Sequence, residues 1–229
     1  MIKRLFDLIL AILALVVLCP LLIPIALVLR FTGEGEVFYR QNRLGRDGKP
    51  FGILKFATML KNSPSMAGGD ISTRDDPRIL PVGRFLRSTK INELPQLINI
   101  VVGDMSIIGP RPFTPRIAAL FSADHWAAVG HLRPGLSGIG SIVFRDEEGL
   151  LANQTDRLAV YRSAIVPYKA ALERWYVAHQ STWLDLKLIL ITVAAVVAKG
   201  IQPSHYFANL PPAPVELEVL RRSSRATPE

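Results

Sequence analysis

The chain has one cysteine, Cys19, in 229 residues, so it can form neither an intrachain disulfide nor a cysteine-built metal cluster. Aromatic residues make up only 8% and do not alternate with the basic residues, which excludes the stacking platforms of single-strand nucleic-acid binders. No RNA- or DNA-recognition motif is present. A net charge of +8 and a pI near 9.9 therefore need a different acidic partner. The positive excess is confined to one half: residues 1–116 carry 16 Lys+Arg against 9 Asp+Glu, and residues 117–229 carry 11 against 10. That distribution suits anionic lipid headgroups and a phosphorylated substrate better than a duplex. A hydrophobic content of 49% and a mean hydropathy of +0.27 point to a membrane segment attached to one modest domain.

Residues 8–29 form an uncharged run. As one helix it would be about 33 Å long, enough to cross a hydrocarbon core of about 30 Å. Pro20 and Pro24 argue against a straight crossing, because each removes an amide donor and crowds the carbonyl four residues earlier. Lys3 and Arg4 precede the run and Arg30 follows it, so both ends read as cytoplasmic by the positive-inside tendency. A helix-break-helix that enters and leaves by the same face satisfies both facts, and a single kinked transmembrane helix is the alternative. The run is too long, and lacks the small-residue cleavage site, for a signal peptide.

Further along, Val37–Tyr39 and Phe51–Phe56 flank a turn rich in Gly, Asp and Arg and read as a β-hairpin. Residues 62–78 read as a loop, in which Asp75 and Asp76 before Pro77 suit a turn. Arg84 and Arg87 share a helix face expected to meet lipid headgroups. Helices are expected around 114–129 and over 156–180, the latter with a break at Pro167. Asp185 and Lys187 make the apolar run to Val197 an interfacial or core helix rather than a second span. The tail from Gln202, with five prolines and many charges, reads as poorly ordered.

The chain is organised around residues 88–112. Leu94, Leu97, Ile98 and Val101 recur at the spacing of one buried helical face, with Pro95 in the first turn, Asn92 as N-cap, Glu93 as first helical residue and Gly103 as terminator. Asn92 and Glu93 would then sit beside unpaired amides at the positive end of a helix dipole. Arg111, braced by Pro110 and Pro112, offers a planar fork able to take a phosphate bidentately. Each of these residues also has an ordinary structural explanation, but together they indicate phosphate handling. The Arg133-Pro134-Gly135-Leu136-Ser137-Gly138 loop could bring backbone amides close to a phosphate. Arg145-Asp146-Glu147-Glu148 is either a solvated turn or a supplier of carboxylates.

The stretch Asn92-Glu93-Leu94-Pro95-Gln96-Leu97 through Gly109-Pro110-Arg111-Pro112 resembles the signature of the bacterial sugar transferases, monotopic polyprenyl-phosphate phosphoglycosyl transferases. Lys55-Phe56-Ala57-Thr58-Met59 and the Arg133–Gly138 loop are similar to further family motifs, and the resemblance spans about residues 1–200. It implies an α/β fold, mostly helical with a small β-hairpin. It also implies a re-entrant membrane helix over 1–30, a cytoplasmic catalytic domain over 31–201 with interfacial amphipathic helices, and a flexible tail over 202–229. The implied reaction moves a sugar 1-phosphate from a UDP-sugar to undecaprenyl phosphate with release of UMP. It uses Mg²⁺ held at Glu93 and takes place at the cytoplasmic face of the bacterial inner membrane. Lys55 becomes a catalytic cation beside Asn92 and Glu93. Pro110, Arg111, Pro112, Arg133, Gly135 and Glu173 become substrate-binding residues, Glu173 standing where the family has an aspartate. The oligomeric state is open, a homodimer included. Asn92 stands where relatives carry the nucleophilic aspartate, and a carboxamide has no anionic oxygen to attack with. Glu93 takes over that role, or displacement is direct, or the protein is a catalytically silent membrane-bound scaffold.

Overall fold

Backbone hydrogen bonds carry helix α1 (Ile2–Phe31) through the whole apolar run. The computed structural model describes residues 2–66, 76–152, 154–197, 206–207 and 209–226. The expected break does not divide the helix. Pro20 and Pro24 lie inside it, each forfeiting one hydrogen bond while its fixed φ stays helical. Only Asp7, Ala11 and Leu29 of α1 are buried, several others such as Leu15 and Ile25 are partly buried against the body, and much of the rest is apolar surface, Val16 and Val17 being about two-thirds exposed.

The hairpin forms as expected: β1 (Phe38–Leu44) and β2 (Pro50–Phe56) pair antiparallel, with Lys55 opposite Tyr39. Helix α2 (Pro81–Ser88) leads into a single 3₁₀ turn, Ile91–Glu93, and then into α3 (Gln96–Val102). The expected start at Asn92 is therefore corrected. The amides of Glu93 and Leu94 close tight bonds to Lys90 and Ile91, and Pro95 has no amide to continue the ladder, so α3 begins beyond it. The buried face shifts as well. Gln96, Leu97, Asn99 and Ile100 are buried while Ile98 is exposed, because α1 and β2 approach from that side. Gly103 terminates α3 at φ 103°.

Strand β3 (Ser106–Ile108) carries the chain to α4 (Pro115–Ala118) and α5 (Ala123–Val129). These are two short helices rather than one over 114–129, because Thr114 and Ser122 each cap a separate start. Strand β4 (Gly135–Ser137) pairs in parallel with β3. Next come α6 (Ile139–Val143), α7 (Glu147–Leu151) and α8 (Arg157–Val160). A π-turn over Tyr161–Ile165 precedes α9 (Val166–His179), so Pro167 falls in the first turn of a helix and breaks none. Helices α10 (Thr182–Val197) and α11 (Val215–Ala226) complete the chain. The expectation of a poorly ordered tail fails over its described part. Leu217 of α11 is fully buried and joins the main core, and one such side chain contributes about 2 kcal/mol.

The main core is built from β3, α4 to α11 and their connections. Two smaller clusters fasten α1. Ala11 packs with Ile53, Leu97, Ile100 and Met105, and Leu29 packs with Phe56 and Leu86. Polar bonds secure the amino-terminal end. Arg4 donates to the carbonyls of Ile100 and Val101 at 2.6 and 3.0 Å, and Lys3 donates to Asp185 at 2.6 Å. Asp7 accepts from the Ser106 hydroxyl at 2.6 Å and the Ile107 amide at 3.2 Å. Both ends of α1 are thus held on one folded body.

Candidate active site

Asn99 on the buried face of α3 aligns the site. Its side-chain nitrogen donates to the Gly52 carbonyl and its oxygen accepts from the Leu54 amide, both at 2.9 Å. These two bonds extend the edge of β2 and set its next residue, Lys55, against the Ile91–Glu93 turn. Lys55 Nζ lies 3.4 Å from Glu93 Oε1, and Arg111 Nη2 lies 3.6 Å from the same oxygen. Arg111 Nη1 also reaches Ser141 Oγ at 3.5 Å.

Burial pushes the Glu93 carboxyl up, but Lys55, Arg111 and Lys90 outweigh it and hold the group well below the usual carboxylate range. Burial brings Lys55 down to about 8, with the charge of Glu93 opposing. Arg111 is also penalised by burial, but Glu93, Glu147, Tyr161 and Glu173 together outweigh this and favour its charged form. Asn92 is buried beside them, and its Oδ1 has no hydrogen-bond partner among the described residues. An orphaned buried oxygen of this kind is costly unless a ligand completes it.

The Pro110-Arg111-Pro112 segment is gripped from behind. Gly109 donates to the Ser137 carbonyl at 3.1 Å and Gly135 to the Pro110 carbonyl at 2.8 Å, while Arg43 donates to the Pro112 carbonyl at 3.0 Å. A Cβ on Gly135 would meet the Gly109 nitrogen at 2.2 Å, so only glycine permits this approach. This corrects the phosphate-binding role expected of Gly135, whose amide is already engaged by Pro110. Arg133 likewise points elsewhere, donating to the Gly103 carbonyl at 2.9 Å and so capping the carboxyl end of α3. Glu173 is buried behind the loop and accepts the Arg111 amide at 3.0 Å. Its other oxygen lies 3.3 Å from the fully buried His125. It positions Arg111 from behind rather than reaching into the site.

In front lies a cleft of about 1260 Å³. One wall is apolar, with Leu13, Val17 and Leu21 of α1 and Ile189, Val193 and Val196 of α10. The other carries Lys55, Asn92, Glu93, Arg111 and residues the sequence did not single out, namely Ser141, Arg145 and Lys169. Lys169 is buried, hydrogen-bonded to Tyr161 at 3.0 Å and paired with Glu147, and lies over the Phe113, Phe144 and Tyr161 rings. Arg87, expected to face lipid, instead pairs with Glu148 in the cleft wall. The acidic cluster therefore contributes partners for Arg87 and Lys169. In the sequence, only the acidic spacing of Glu147 and Glu148 hinted at buried cations opposite. Asp76 pairs with Arg78, and Asp75 lies outside the described residues. Among the described residues, no group of three His, Cys, Asp or Glu side chains could hold a metal. The Glu93 carboxylate and Asn92 Oδ1 are neighbouring hard oxygen donors in the cleft, a pair that suits Mg²⁺ when substrate phosphates complete it.

The sequence profile of the bacterial sugar transferase family matches residues 1–199. The UDP-glucose:undecaprenyl-phosphate glucose-1-phosphate transferase of Caulobacter vibrioides is 36% identical over 199 residues, covering 85% of this chain and 69% of that protein. The exopolysaccharide production protein ExoY of Sinorhizobium fredii is 34% identical over 210 residues, covering 85% and 84%. The undecaprenyl-phosphate glucose phosphotransferase of Komagataeibacter xylinus is 33% identical over 196 residues, and there the chain spans 35% of the longer relative. With the family profile covering nearly all of its described body, and with the proline-braced arginine facing an ionised carboxylate, the chain belongs to the bacterial sugar transferase family.

Proposed function

We propose that the protein transfers a sugar 1-phosphate from a UDP-sugar to undecaprenyl phosphate, releasing UMP, as the first membrane step of a surface polysaccharide. UDP-glucose, named for several relatives, is the donor to assay first. The observation that carries this reading is the composition of the cleft. One ionised carboxylate sits among three cations, opposite an apolar wall continuous with the exposed surface of α1. Two substrates bearing phosphates, one of them a lipid, need that combination.

Glu93 is the nucleophile in this reading. Its carboxylate oxygen forms a bond to the phosphorus bearing the sugar, the bond from that phosphorus to the UMP oxygen breaks, and UMP leaves with the electron pair. An oxygen of undecaprenyl phosphate then attacks the same phosphorus and expels the carboxylate. Lys55 and Arg111 offset the charge that builds on the equatorial oxygens. As phosphate oxygens share these two cations, their hold on Glu93 weakens and its oxygen becomes free to attack. Mg²⁺, when bound by Glu93, Asn92 Oδ1 and substrate phosphates, would further neutralise the diphosphate.

Membrane placement follows the same logic. The ends of α1 are tied to one body by Lys3, Arg4 and Asp7 on one side and by Leu29 on the other. This supports a helix that enters one leaflet and keeps both ends on the cytoplasmic side instead of crossing, bent where Pro20 and Pro24 weaken its hydrogen bonding, with exposed Phe85 and Trp183 at the headgroup level.

Asn92 favours one competing reading, a silent scaffold. Intact-protein mass after incubation with UDP-glucose and Mg²⁺, together with UMP release on adding undecaprenyl phosphate, separates the two. A covalent sugar-phosphate on wild type, lost in Glu93→Gln, is the expected result. An adduct seen only after Asn92→Asp would overturn the role of Glu93. UMP release without an adduct would select direct displacement, and no release with any UDP-sugar would select the scaffold.

A further inference from the structure

Outside the cleft, one buried polar residue has no task in the chemistry described so far. His125 lies on α5, is fully buried, and packs against the rings of Phe121 and Trp126, with centroids 4.6 and 5.1 Å away. Packing alone does not ask for an imidazole there, because a phenylalanine would fill the space without burying two ring nitrogens. Neither nitrogen has a hydrogen-bond partner among the described residues. Helix α9 packs on α5 and brings Glu173 to this point. His125 Nε2 lies 3.3 Å from Glu173 Oε2, an oxygen that is also buried and without a hydrogen-bond partner among the described residues.

A carboxylate oxygen facing Nε2 requires the ring hydrogen on that nitrogen, in the neutral imidazole or in the imidazolium. A small rotation of the ring turns the contact into a hydrogen bond and satisfies two buried polar atoms together. The other Glu173 oxygen accepts the Arg111 amide at 3.0 Å. That amide is the single one in its segment, since Pro110 and Pro112 carry none. The proline rings fix their own φ, which leaves the torsions of Arg111 as the soft ones. The carboxylate of Glu173 therefore sets the direction in which the guanidinium leaves the backbone toward Glu93 and Ser141.

We propose that His125 is a positioning residue for Arg111: it donates from Nε2 to Glu173, and the carboxylate so fixed holds the Arg111 amide and aims the guanidinium into the cleft. The relay runs from α5 through α9 to the Pro110–Pro112 loop, and His125 never touches substrate. Its effect on turnover rests on the donor chemistry proposed above, whereas its effect on the Arg111 amide does not.

The test uses the detergent-solubilised full chain with two readouts, amide hydrogen exchange over residues 109–113 and kcat/KM for UDP-glucose. His125→Phe keeps a ring against Phe121 and Trp126 but has no donor, while His125→Gln returns an N–H near Nε2 without the ring. His125→Phe is expected to speed exchange at Arg111 about tenfold and to lower kcat/KM by a similar factor, and His125→Gln to stay within about threefold of wild type in both. Glu173→Ala should lower kcat/KM at least as far as His125→Phe, and the double variant should be no worse than Glu173→Ala within about twofold, because a relay is lost only once. Wild-type exchange and turnover in His125→Phe overturn the proposal. So does the reverse order, with the Gln variant impaired and the Phe variant normal, which is what a purely packing role predicts. Effects that multiply in the double variant overturn it as well. Where His125→Phe does not fold, His125→Leu repeats the comparison with a smaller apolar group. Wild type that releases no UMP from any UDP-sugar defeats the donor chemistry instead, and the exchange readout still decides the role of His125.

Discussion

Two charged clusters, one at the amino-terminal end of α1 and one in the cleft, differ in how their charges are matched. At the amino-terminal end of α1, Asp7 and Asp185 are both buried and every carboxylate oxygen is engaged. Ser106 and Ile107 serve Asp7, while Tyr176 at 2.7 Å and Lys3 at 2.6 Å serve Asp185. In the cleft, Glu93 is shared by Lys55 and Arg111 and feels Lys90 as well, while Arg145 makes no ion pair among the described residues. A satisfied cluster rigidifies the fold, whereas a cluster with surplus cations attracts an anion. The first fastens α1, and the second is the cluster proposed above to receive phosphate.

Removing Glu93 should have the largest effect. Glu93→Gln is expected to lower UMP release by at least about 10³-fold, because it deletes the attacking oxygen. Thermal stability should change little, and a comparable loss of stability would merge the two clusters into one structural class. Arg111→Ala should follow at about 10²-fold, read as kcat/KM for the donor. At the other cluster the result should invert. Asp185→Ala removes the shortest partner of both Lys3 and the Tyr176 hydroxyl and should cost about 2–4 kcal/mol in denaturant unfolding. Activity per folded molecule should stay within a few-fold.

A pH profile sharpens the contrast further. Lys55 is a cation below about 8 and loses its proton above it, so kcat/KM should fall about tenfold per pH unit on the alkaline side of that value. Lys55→Arg, which stays charged, should remove this limb. Glu93 stays ionised far into acid, so it should impose no loss between pH 5 and about 8. The smallest effect is expected at Arg133. Its guanidinium serves the Gly103 carbonyl, and Arg133→Ala should leave the donor KM within about twofold.

Much of this arrangement was legible from residue order. The apolar run, the hairpin around Arg46–Gly48, Glu93 and the proline-braced Arg111 all announce themselves through local spacing. Glu173 and Gly135 were recognised as belonging to the site, but their direction of action was not. Both work behind the Arg111 loop through backbone bonds that depend on α9 and β4 meeting β3. Arg145 and Lys169 were missed for a related reason. A lone basic residue in an irregular or helical stretch looks solvated until the fold shows which carboxylates reach it and which do not. The tail misled because its prolines and charges hid one well-placed leucine, Leu217.

Sequence alone determined the long apolar helix, the family, and the closeness in the chain of Glu93 and the proline-braced Arg111, since each depends on composition or spacing within a few turns of chain. Tertiary structure alone decided that Lys55 from one strand and Arg111 from a distant loop converge on one oxygen of Glu93. It also decided that Arg145, in the same cleft, makes no ion pair among the described residues. Electrostatic balance is a property of distances in space, and the neighbours that set those distances lie tens of residues apart.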